Sequence, residues 1–268
     1  MPTYLQGHHE SVLRAHRWRT AANSAGYLLP HLRPGMEVLD VGCGPGSITN
    51  DLADAVGPDG QVLGVDSSAE VIELARTGSP VTNARFAVQD VMDLDLPDGD
   101  FDVVHAHQVL QHLQDPVAAL REMTRVARPG GLVAVRDADY AAMTWHPASA
   151  GLDSWQATYR AVARALGAEP DAGRRLLGWV REAGFADVVP SASVWCFATP
   201  ADRAWWGGLQ ADRIVDSDVA RHAVAASLTD DAGLRQMAAS WRAWAEADDG
   251  WFAVMHGEVL CRLPSGHS

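Results

Sequence analysis

The chain has few cysteines, and those it has are far apart. Its 268 residues include only Cys43, Cys196 and Cys261, and no two of them form a C-x-x-C pair. An odd, scattered set of this kind argues against a zinc site and against a dithiol redox centre. A reducing, cytoplasmic location is the expectation that follows.

Positive charge and long apolar runs are also scarce. The chain has 21 basic and 34 acidic residues, which gives a formal net charge of −13. Nucleic-acid binding, in contrast, draws most of its affinity from contacts between basic groups and phosphate. No run approaches the ~20 apolar residues of a membrane span, and the N-terminus lacks a basic-then-apolar signal segment. We therefore expect no nucleic-acid partner and no membrane partner, and a cytoplasmic monomer or homodimer that acts on a small molecule.

Residues 38–47 have the most informative pattern. The run Val38-Leu39-Asp40-Val41 ends in glycines at positions 42, 44 and 46, and apolar residues then recur at helical intervals. A buried strand that turns straight into a helix needs residues without a Cβ, which reach positive φ and let a ligand approach the backbone. The pattern predicts strand, tight turn and helix around a nucleotide-like cofactor.

A second apolar run, residues 61–66, ends in Asp66, 24 positions after Gly42. An acid at this distance suits a carboxylate that binds the two hydroxyls of a ribose. Ser67 and Glu70 then have the spacing of a capping box, which predicts that a helix begins at Ser67.

The glycine spacing favours one cofactor class over another. The dinucleotide fingerprint G-x-G-x-x-G needs a small residue at its sixth place, counting the first glycine as one; here that place is Ser47, and the third glycine comes one residue early at Gly46. The stretch instead resembles motif I of the class I S-adenosylmethionine-dependent methyltransferases, and residues 12–48 resemble the branch that acts in ubiquinone and menaquinone biosynthesis. A nicotinamide oxidoreductase stays open as an outside alternative.

This resemblance implies a set of cofactor ligands. It implies S-adenosylmethionine as cofactor, with S-adenosylhomocysteine as product; no metal is expected, because no metal-ligand constellation is apparent in the sequence. The residues it implies for the cofactor site are Tyr4, Gly42, Cys43, Gly44, Asp66, Ser67, Asp90, Val91, His107 and Gln108. Asp90 and Val91 follow a third strand, where the family binds adenine, and His107 and Gln108 end a fourth, under the transferring methyl. His8 and Arg19 are further candidates on the N-terminal segment.

The alternation of strands and helices predicts the fold. We expect an α/β, Rossmann-like, doubly wound sheet of seven mostly parallel strands with an antiparallel last strand and an inserted helical cap. All of 1–268 is interpreted as one methyltransferase domain. Its parts are an N-terminal helical segment (1–36), a cofactor-binding half (37–138), the rest of the sheet (139–198 and 250–263) and the cap (199–249).

Nine of the ten tryptophans follow Arg136, so the second half of the chain is expected to bind the substrate. Rigid aromatic walls suit a planar or apolar small molecule, although each tryptophan could equally serve core packing. The substrate contacts we expect are Tyr140, Trp145, His146 and Trp205. A hydroxyl or amine acceptor also needs a base, for which His112 and Tyr140 are the candidates.

The predicted function is transfer of a methyl group from S-adenosylmethionine to an O, N or C atom of a small metabolite. Two alternatives stay open beside it. One is a protein of the same fold that binds S-adenosylmethionine without methylating, such as a cyclase; the other is a protein methyltransferase.

Overall fold

The computed structural model describes residues 18–265. It begins with a short helix α1 (Ala21–Ser24) and a 3₁₀ turn (Leu29–His31). Thr20 caps α1, because its side chain accepts a hydrogen bond from the Asn23 backbone and the Asn23 side chain accepts one in return. Helix and turn fall within the segment predicted to be helical; residues 1–17 of that segment lie outside the described part.

Within residues 18–265, eight strands form one sheet. They are β1 (Glu37–Val41), β2 (Gln61–Asp66), β3 (Ala84–Val88), β4 (Phe101–His107), β5 (Ala127–Ala138), β6 (Thr144–His146), β7 (Asp187–Phe197) and β8 (Trp251–Arg262). The sheet order is β3-β2-β1-β4-β5-β8, with β7 paired to β8. Strands β1 to β5 pair in parallel, and β8 is antiparallel to β5, β6 and β7.

The predicted mostly parallel sheet with an antiparallel last strand is confirmed, and the count is eight strands rather than seven. The extra strand is β6, which pairs with residues 251–253 of β8 while β5 pairs with residues 256–262. Since β7 lies along the other edge of β8, β6 continues the edge that β5 begins. The sheet is therefore seven strands wide, and the 3₁₀ turn Tyr140–Ala142 separates β5 from β6.

In the described part of the chain, eight α-helices follow α1. They are α2 (Ser47–Val56), α3 (Ala69–Gly78), α4 (Pro116–Val126), α5 (Ala150–Ala165), α6 (Leu176–Ala183), α7 (Pro200–Asp216), α8 (Asp218–Ala225) and α9 (Asp231–Glu246). Asp115 caps α4 through a hydrogen bond from the Ala118 backbone, and Pro116 is the first residue of the helix. The predicted cap at Ser67 is wrong, because Ser68 accepts the capping bond from Val71.

Helices α7, α8 and α9 come between β7 and β8 in the chain. Their apolar faces share one buried cluster with the ends of β7 and β8. Trp241 of α9 is fully buried there and meets Trp155 edge to face with ring centroids 4.8 Å apart. The cap region thus packs on the same end of the sheet as α5, instead of forming a separate core.

No helix in the described range 18–265 is both long and apolar enough to cross a membrane.

Candidate active site

The turn between β1 and α2 has the backbone that its glycines allow. Gly42, Gly44 and Gly46 have φ of 65°, 56° and 84°, a region that L-residues with a Cβ rarely occupy. A Cβ on Gly42 would lie 2.3 Å from Cγ2 of Val109, and one on Gly46 would lie 2.8 Å from the Phe86 ring. The first glycine therefore lets the turn approach the end of β4, and the third lets α2 pack on β3.

Asp66 ends β2 beside this turn. One carboxylate oxygen accepts a hydrogen bond from the Gly44 backbone at 3.2 Å, and the other accepts one from the Ser68 backbone at 3.0 Å. Two backbone donors fix the carboxylate in place, and each oxygen keeps a lone pair for a further donor. Asp66 can thus accept hydrogen bonds from a ligand that lies against the glycine turn.

A recess of about 290 Å³ opens at the turn, and we call it the glycine-turn recess. It is lined by Arg19, Asp40, Gly42, Cys43, Gly44, Pro45, Ser47, Ile48 and His107. Asp40 is buried at its base, where it contacts His105 Nδ1 at 2.8 Å and accepts a hydrogen bond from Thr49 at 2.6 Å. Burial, together with the charges of Asp40 and Asp66, raises the pKa of Cys43, so this thiol is a packed wall and not a nucleophile.

A second recess, of about 450 Å³, lies between the sheet and the cap, and we call it the aromatic recess. Its walls are Trp18, Arg19, Gln108, Ala138, Tyr140, Met143, Trp155, Trp195, Trp206, Gln210, Arg213 and Val254. Four tryptophans and a tyrosine supply rigid apolar surface, and a few polar groups face it from α7 and from the end of β4. This composition is typical of a site for a small organic ligand.

The two recesses meet at Arg19 and at the end of β4. Arg19 lines both, His107 lines the glycine-turn recess, and Gln108 lines the aromatic recess. Gln108 has φ of 55°, unusual for a residue with a side chain, and its N–H donates to the Arg136 carbonyl at 2.7 Å. Its amide oxygen accepts from Arg19 at 2.7 Å, and its amide nitrogen donates to His256 Nε2 at 2.9 Å.

A buried ionic group holds this junction from below. Arg136 lies over the Trp195 ring, donates to Glu258 at 3.1 Å and to Ser193, and contacts His107 Nδ1 at 3.4 Å. Burial lowers the pKa of Arg136 to about 10, so it stays charged at neutral pH. Because an arginine can only donate, Nδ1 of His107 is the acceptor and the proton is on Nε2.

His107 is a neutral donor at the wall of the glycine-turn recess. Burial, and then the charges of Arg136 and Arg19, lower its pKa well below the ordinary value. Its Nε2 is buried without a hydrogen-bond partner, an uncommon state for a buried polar atom. A ligand in the recess that presents an acceptor would satisfy it.

The structure brings together most of the predicted cofactor residues. Asp90 is exposed, and it lies two positions after Val88. Since Val88 pairs with Asp66 across β3 and β2, both acids lie at the same edge of the sheet. Val91 is buried, and Ser67 is exposed next to Asp66. Tyr4 and His8 lie outside the described residues.

Of the predicted substrate residues, one lines the aromatic recess and three do not. Tyr140 lines the aromatic recess and stacks on Tyr159 with ring centroids 4.0 Å apart. Trp145 instead stacks on Phe252, and exposed His146 pairs with Asp249 at 3.0 Å. Trp205 packs against Trp18 behind the recess wall, which its neighbour Trp206 forms.

His112 lines neither recess, and Gln111 contacts its Nε2 at 3.1 Å. Burial, and then the charges of Arg19 and Arg213, lower its pKa to about 4. An imidazole with this pKa is a weak proton acceptor near neutral pH. No group of acidic, histidine or cysteine side chains within residues 18–265 could hold a metal ion.

Sequence reasoning missed several residues that line the recesses. Asp40 was available as a signal, since it is an acid that stands between the apolar residues Leu39 and Val41 of β1. Trp155 lies in the apolar stripe of a helix pattern and Trp195 in an alternating strand pattern, neither of which marks a ligand contact, and Arg213 had no local pattern to mark it. The three meet only because α5, β7 and α7 converge on one end of the sheet.

A buried carboxyl under the turn after β4 makes stability depend on pH. Burial raises the pKa of Asp137 from 3.8 to about 7, although the Gln111 backbone donates to its Oδ1 at 3.2 Å. The unfolded chain loses this proton at the ordinary pKa, so the folded state is penalised increasingly from about pH 4 to pH 7. Asp137→Asn removes the penalty, and its gain in unfolding free energy should be about 2–3 kcal/mol larger at pH 8 than at pH 5.

Urea unfolding at both pH values measures this difference. Asp59→Asn changes an exposed carboxyl before β2 and provides the control, with the same small effect at both pH values. An Asp137→Asn gain that is the same at pH 5 and pH 8 would contradict a raised pKa.

The site fits a nucleoside-like cofactor. A positive-φ glycine turn and a neutral histidine with an unsatisfied N–H line one recess, a fixed carboxylate lies beside that turn at the next strand end, and an aromatic recess adjoins it. Fold and site together define a Rossmann-like protein of the class I methyltransferase type.

Comparison with known proteins gives the family. The family model for a methyltransferase domain matches residues 32–184. An uncharacterized methyltransferase of Schizosaccharomyces pombe is 34% identical over 268 residues, which covers 96% of this chain and 95% of the relative. The chain therefore belongs to the methyltransferase domain family, and it is an S-adenosylmethionine-dependent methyltransferase.

Two further relatives bear on the branch and on the fold. The demethylmenaquinone methyltransferase of Staphylococcus aureus is 39% identical over 103 residues, which covers 38% of this chain and 43% of the relative. The predicted resemblance to the menaquinone branch is thereby confirmed. A solved Haemonchus contortus phosphoethanolamine N-methyltransferase matches with a TM-score of 0.59 at 16% identity, covering 97% of this chain and 58% of that one.

Proposed function

We propose that the chain methylates a small organic molecule held in the aromatic recess. The observation that carries the proposal is the junction of the two recesses, where Arg19 lines both and consecutive residues His107 and Gln108 line one each. A ligand in either recess lies next to a ligand in the other across this short junction. Enclosed aromatic walls support a small acceptor more than a protein side chain on a long peptide, which needs an open groove.

S-adenosylmethionine, when bound, supplies an electrophilic methyl on its sulfonium. In our proposal Asp66 accepts hydrogen bonds from the ribose hydroxyls, while Asp90 and Val91 lie at the adenine end. The glycine turn lets the cofactor approach the backbone of residues 42–44. His107 donates through Nε2 at the recess wall. These roles rest on the positions of the side chains and on the family's motif.

Catalysis in this proposal comes mostly from positioning. The chain of hydrogen bonds from Arg19 through Gln108 to His256 fixes the side chains at the junction, and Arg136 supports them from below. Preorganisation of two reactants at near-attack distance supplies a large share of the rate enhancement. Tyr140 is the one predicted base that lines the aromatic recess, and we do not assign that role to His112.

A transfer assay with labelled cofactor tests the proposal. The full chain is incubated with S-adenosylmethionine labelled in the methyl group and with one cell extract separated into a small-molecule fraction and a protein fraction. Label in the small molecules supports the proposal, and label in the protein fraction contradicts it. Cofactor binding without any labelled product would favour the non-methylating alternative, such as a cyclase.

We further propose that all of 1–268 is one domain in which residues 199–249 form a cap that must open for exchange of the acceptor. One face of α7, with Trp206, Gln210 and Arg213 at intervals of four and three, lines the aromatic recess. A cap that closes over a ligand is drawn from the less protected parts of a fold.

Hydrogen exchange should show this motion. Adding S-adenosylhomocysteine and an acceptor should slow amide exchange in α7 more than in α4, whose buried face includes Leu120 and Met123. The measurement is mass spectrometry of peptides from both helices with and without ligands. Equal change, or no change, in the two helices would mean that the cap is a static part of the core.

A further inference from the structure

The aromatic recess offers positive charge and hydrogen-bond donors but no acidic group. Among the described residues, its lining contains Arg19 and Arg213 and not a single aspartate or glutamate. This is unusual in a chain whose net charge is −13. A recess with cationic donors and without anions is complementary to a ligand that brings the negative charge itself.

Arg213 is the arginine of the recess whose guanidinium has no hydrogen-bond or ion-pair partner among the described residues. It lies half-buried on α7, and its guanidinium makes no hydrogen bond or ion pair with any residue in the part of the chain described. Three other arginines of the cap are engaged: Arg203 with Ala198, Arg221 with Asp218 and Arg242 with Asp212. Arg235 of α9 is exposed to solvent, so Arg213 differs from these four arginines in being half-buried at the recess without an ion pair or side-chain hydrogen bond to the described residues.

A second unsatisfied donor lies two turns away on the same face. Trp206 lines the recess, and its indole Nε1 is buried without a hydrogen-bond partner. Residues 206, 210 and 213 share one side of α7, because helical neighbours recur at three and four positions. An unpaired indole donor and an unpaired guanidinium on one wall both require an acceptor atom.

The chemistry of arginine narrows the class of ligand that the recess can bind. All 21 basic residues of the chain are arginines. A guanidinium binds carboxylate and phosphate through two parallel hydrogen bonds, and it does so more strongly where water is excluded. Beside it, Trp155, Trp195 and Trp206 provide flat apolar surface.

We propose that the acceptor is a planar molecule that carries an anionic oxygen group, a carboxylate or a phosphate monoester, and that Arg213 binds this group. The inference rests on the proposed function, since it names the substrate class of the same recess. The rings lie against the tryptophans, and the charge selects the acceptor from neutral molecules of the same shape.

Calorimetry on the full chain saturated with S-adenosylhomocysteine tests the proposal. The probes are benzoate, 2-naphthoate and anthracene-2-carboxylate, each paired with its neutral carboxamide, together with 2-naphthyl phosphate. At least one anion should bind ten-fold or more tightly than its neutral counterpart, because charge-assisted hydrogen bonds are roughly twice as strong as neutral ones. Comparison of the naphthoate with the naphthyl phosphate decides which oxygen group fits.

Two variants test whether Arg213 is responsible for the preference for an anion over its neutral carboxamide. Arg213→Gln should lower the affinity for the preferred anion by about ten- to one-hundred-fold and leave the neutral carboxamide unchanged. Arg235→Gln removes the same charge from an exposed position of α9 outside the recess and should change neither.

The outcomes separate this inference from the proposed function. Normal binding of S-adenosylhomocysteine with no anion preferred over its carboxamide, including no binding of any probe, overturns the inference alone. Equal loss of anion binding in Arg213→Gln and Arg235→Gln also overturns it, since the effect would then be one of net charge. Failure of S-adenosylhomocysteine itself to bind would count against the proposed function.

Discussion

Replacing Asp66 with alanine should weaken binding of S-adenosylhomocysteine by about ten- to one-hundred-fold. Hydrogen bonds to a charged group are worth roughly 1.5–3 kcal/mol, and each 1.4 kcal/mol is a factor of ten in affinity. The carboxylate is already fixed by the backbone N–H groups of Gly44 and Ser68, so it costs little to order when a ribose arrives. Isothermal calorimetry gives the affinity, and thermal unfolding without ligand reports on the fold.

Two matched variants make the result specific. Asp66→Asn keeps an acceptor oxygen and loses the charge, so its affinity should fall between those of the wild type and the alanine variant. Asp59→Ala removes an exposed acid just before β2 and should bind normally. Wild-type affinity in Asp66→Ala would mean that this acid only organises the turn, and the ribose would have to be bound elsewhere.

Replacing Arg136 with methionine should lower the free energy of unfolding by about 3–5 kcal/mol. The substitution leaves Glu258 in a buried site without its cation, and breaking a buried ion pair from one side is costly for this reason. Both side chains are buried, at 1% and 6% exposure, and Ser193 hydrogen-bonds to both. Denaturant unfolding followed by circular dichroism measures the loss.

The double variant Arg136→Met/Glu258→Gln tests the cause. It removes both charges, and the neutral amide can still accept a hydrogen bond from one of Ser191 and Ser193 through its oxygen and donate one to the other through its nitrogen. Its stability should therefore exceed that of Arg136→Met alone. A double variant as unstable as the sum of the two single variants would show that packing of Arg136 on Trp195, and not the buried charge, is what matters.

The cofactor half could be predicted from the sequence because its signals are local. Gly42, Gly44 and Gly46 mark backbone conformations that a Cβ disfavours. Asp66 ends β2, which pairs in parallel with β3, the next strand in the chain. The length of β5 and the existence of β6 were not predicted, since both depend on pairing with β8, more than 100 residues further on.

The acceptor side could not be predicted residue by residue. A tryptophan in a helical stripe has the same local pattern whether it packs in a core or lines a recess, so Trp205 was chosen and Trp206 forms the wall. His146 was expected at the crevice, but β6 carries it to the surface, where Asp249 contacts it. The position of each of these side chains depends on contacts among α5, α7 and β8, which are distant in sequence.

Arg19 contributes to the walls of both recesses, and this sharing has a consequence for how the two ligands load. A single guanidinium has one set of donors, so the position it takes beside the first ligand alters the free energy with which the second one binds. Thermodynamic linkage makes that coupling reciprocal: by whatever factor the cofactor changes the dissociation constant of the acceptor, the acceptor changes that of the cofactor by the same factor. With cofactor and acceptor placed as we propose, cofactor affinity is a property of the whole pair of recesses, and selection for a new acceptor is expected to alter it even when the glycine turn itself is unchanged.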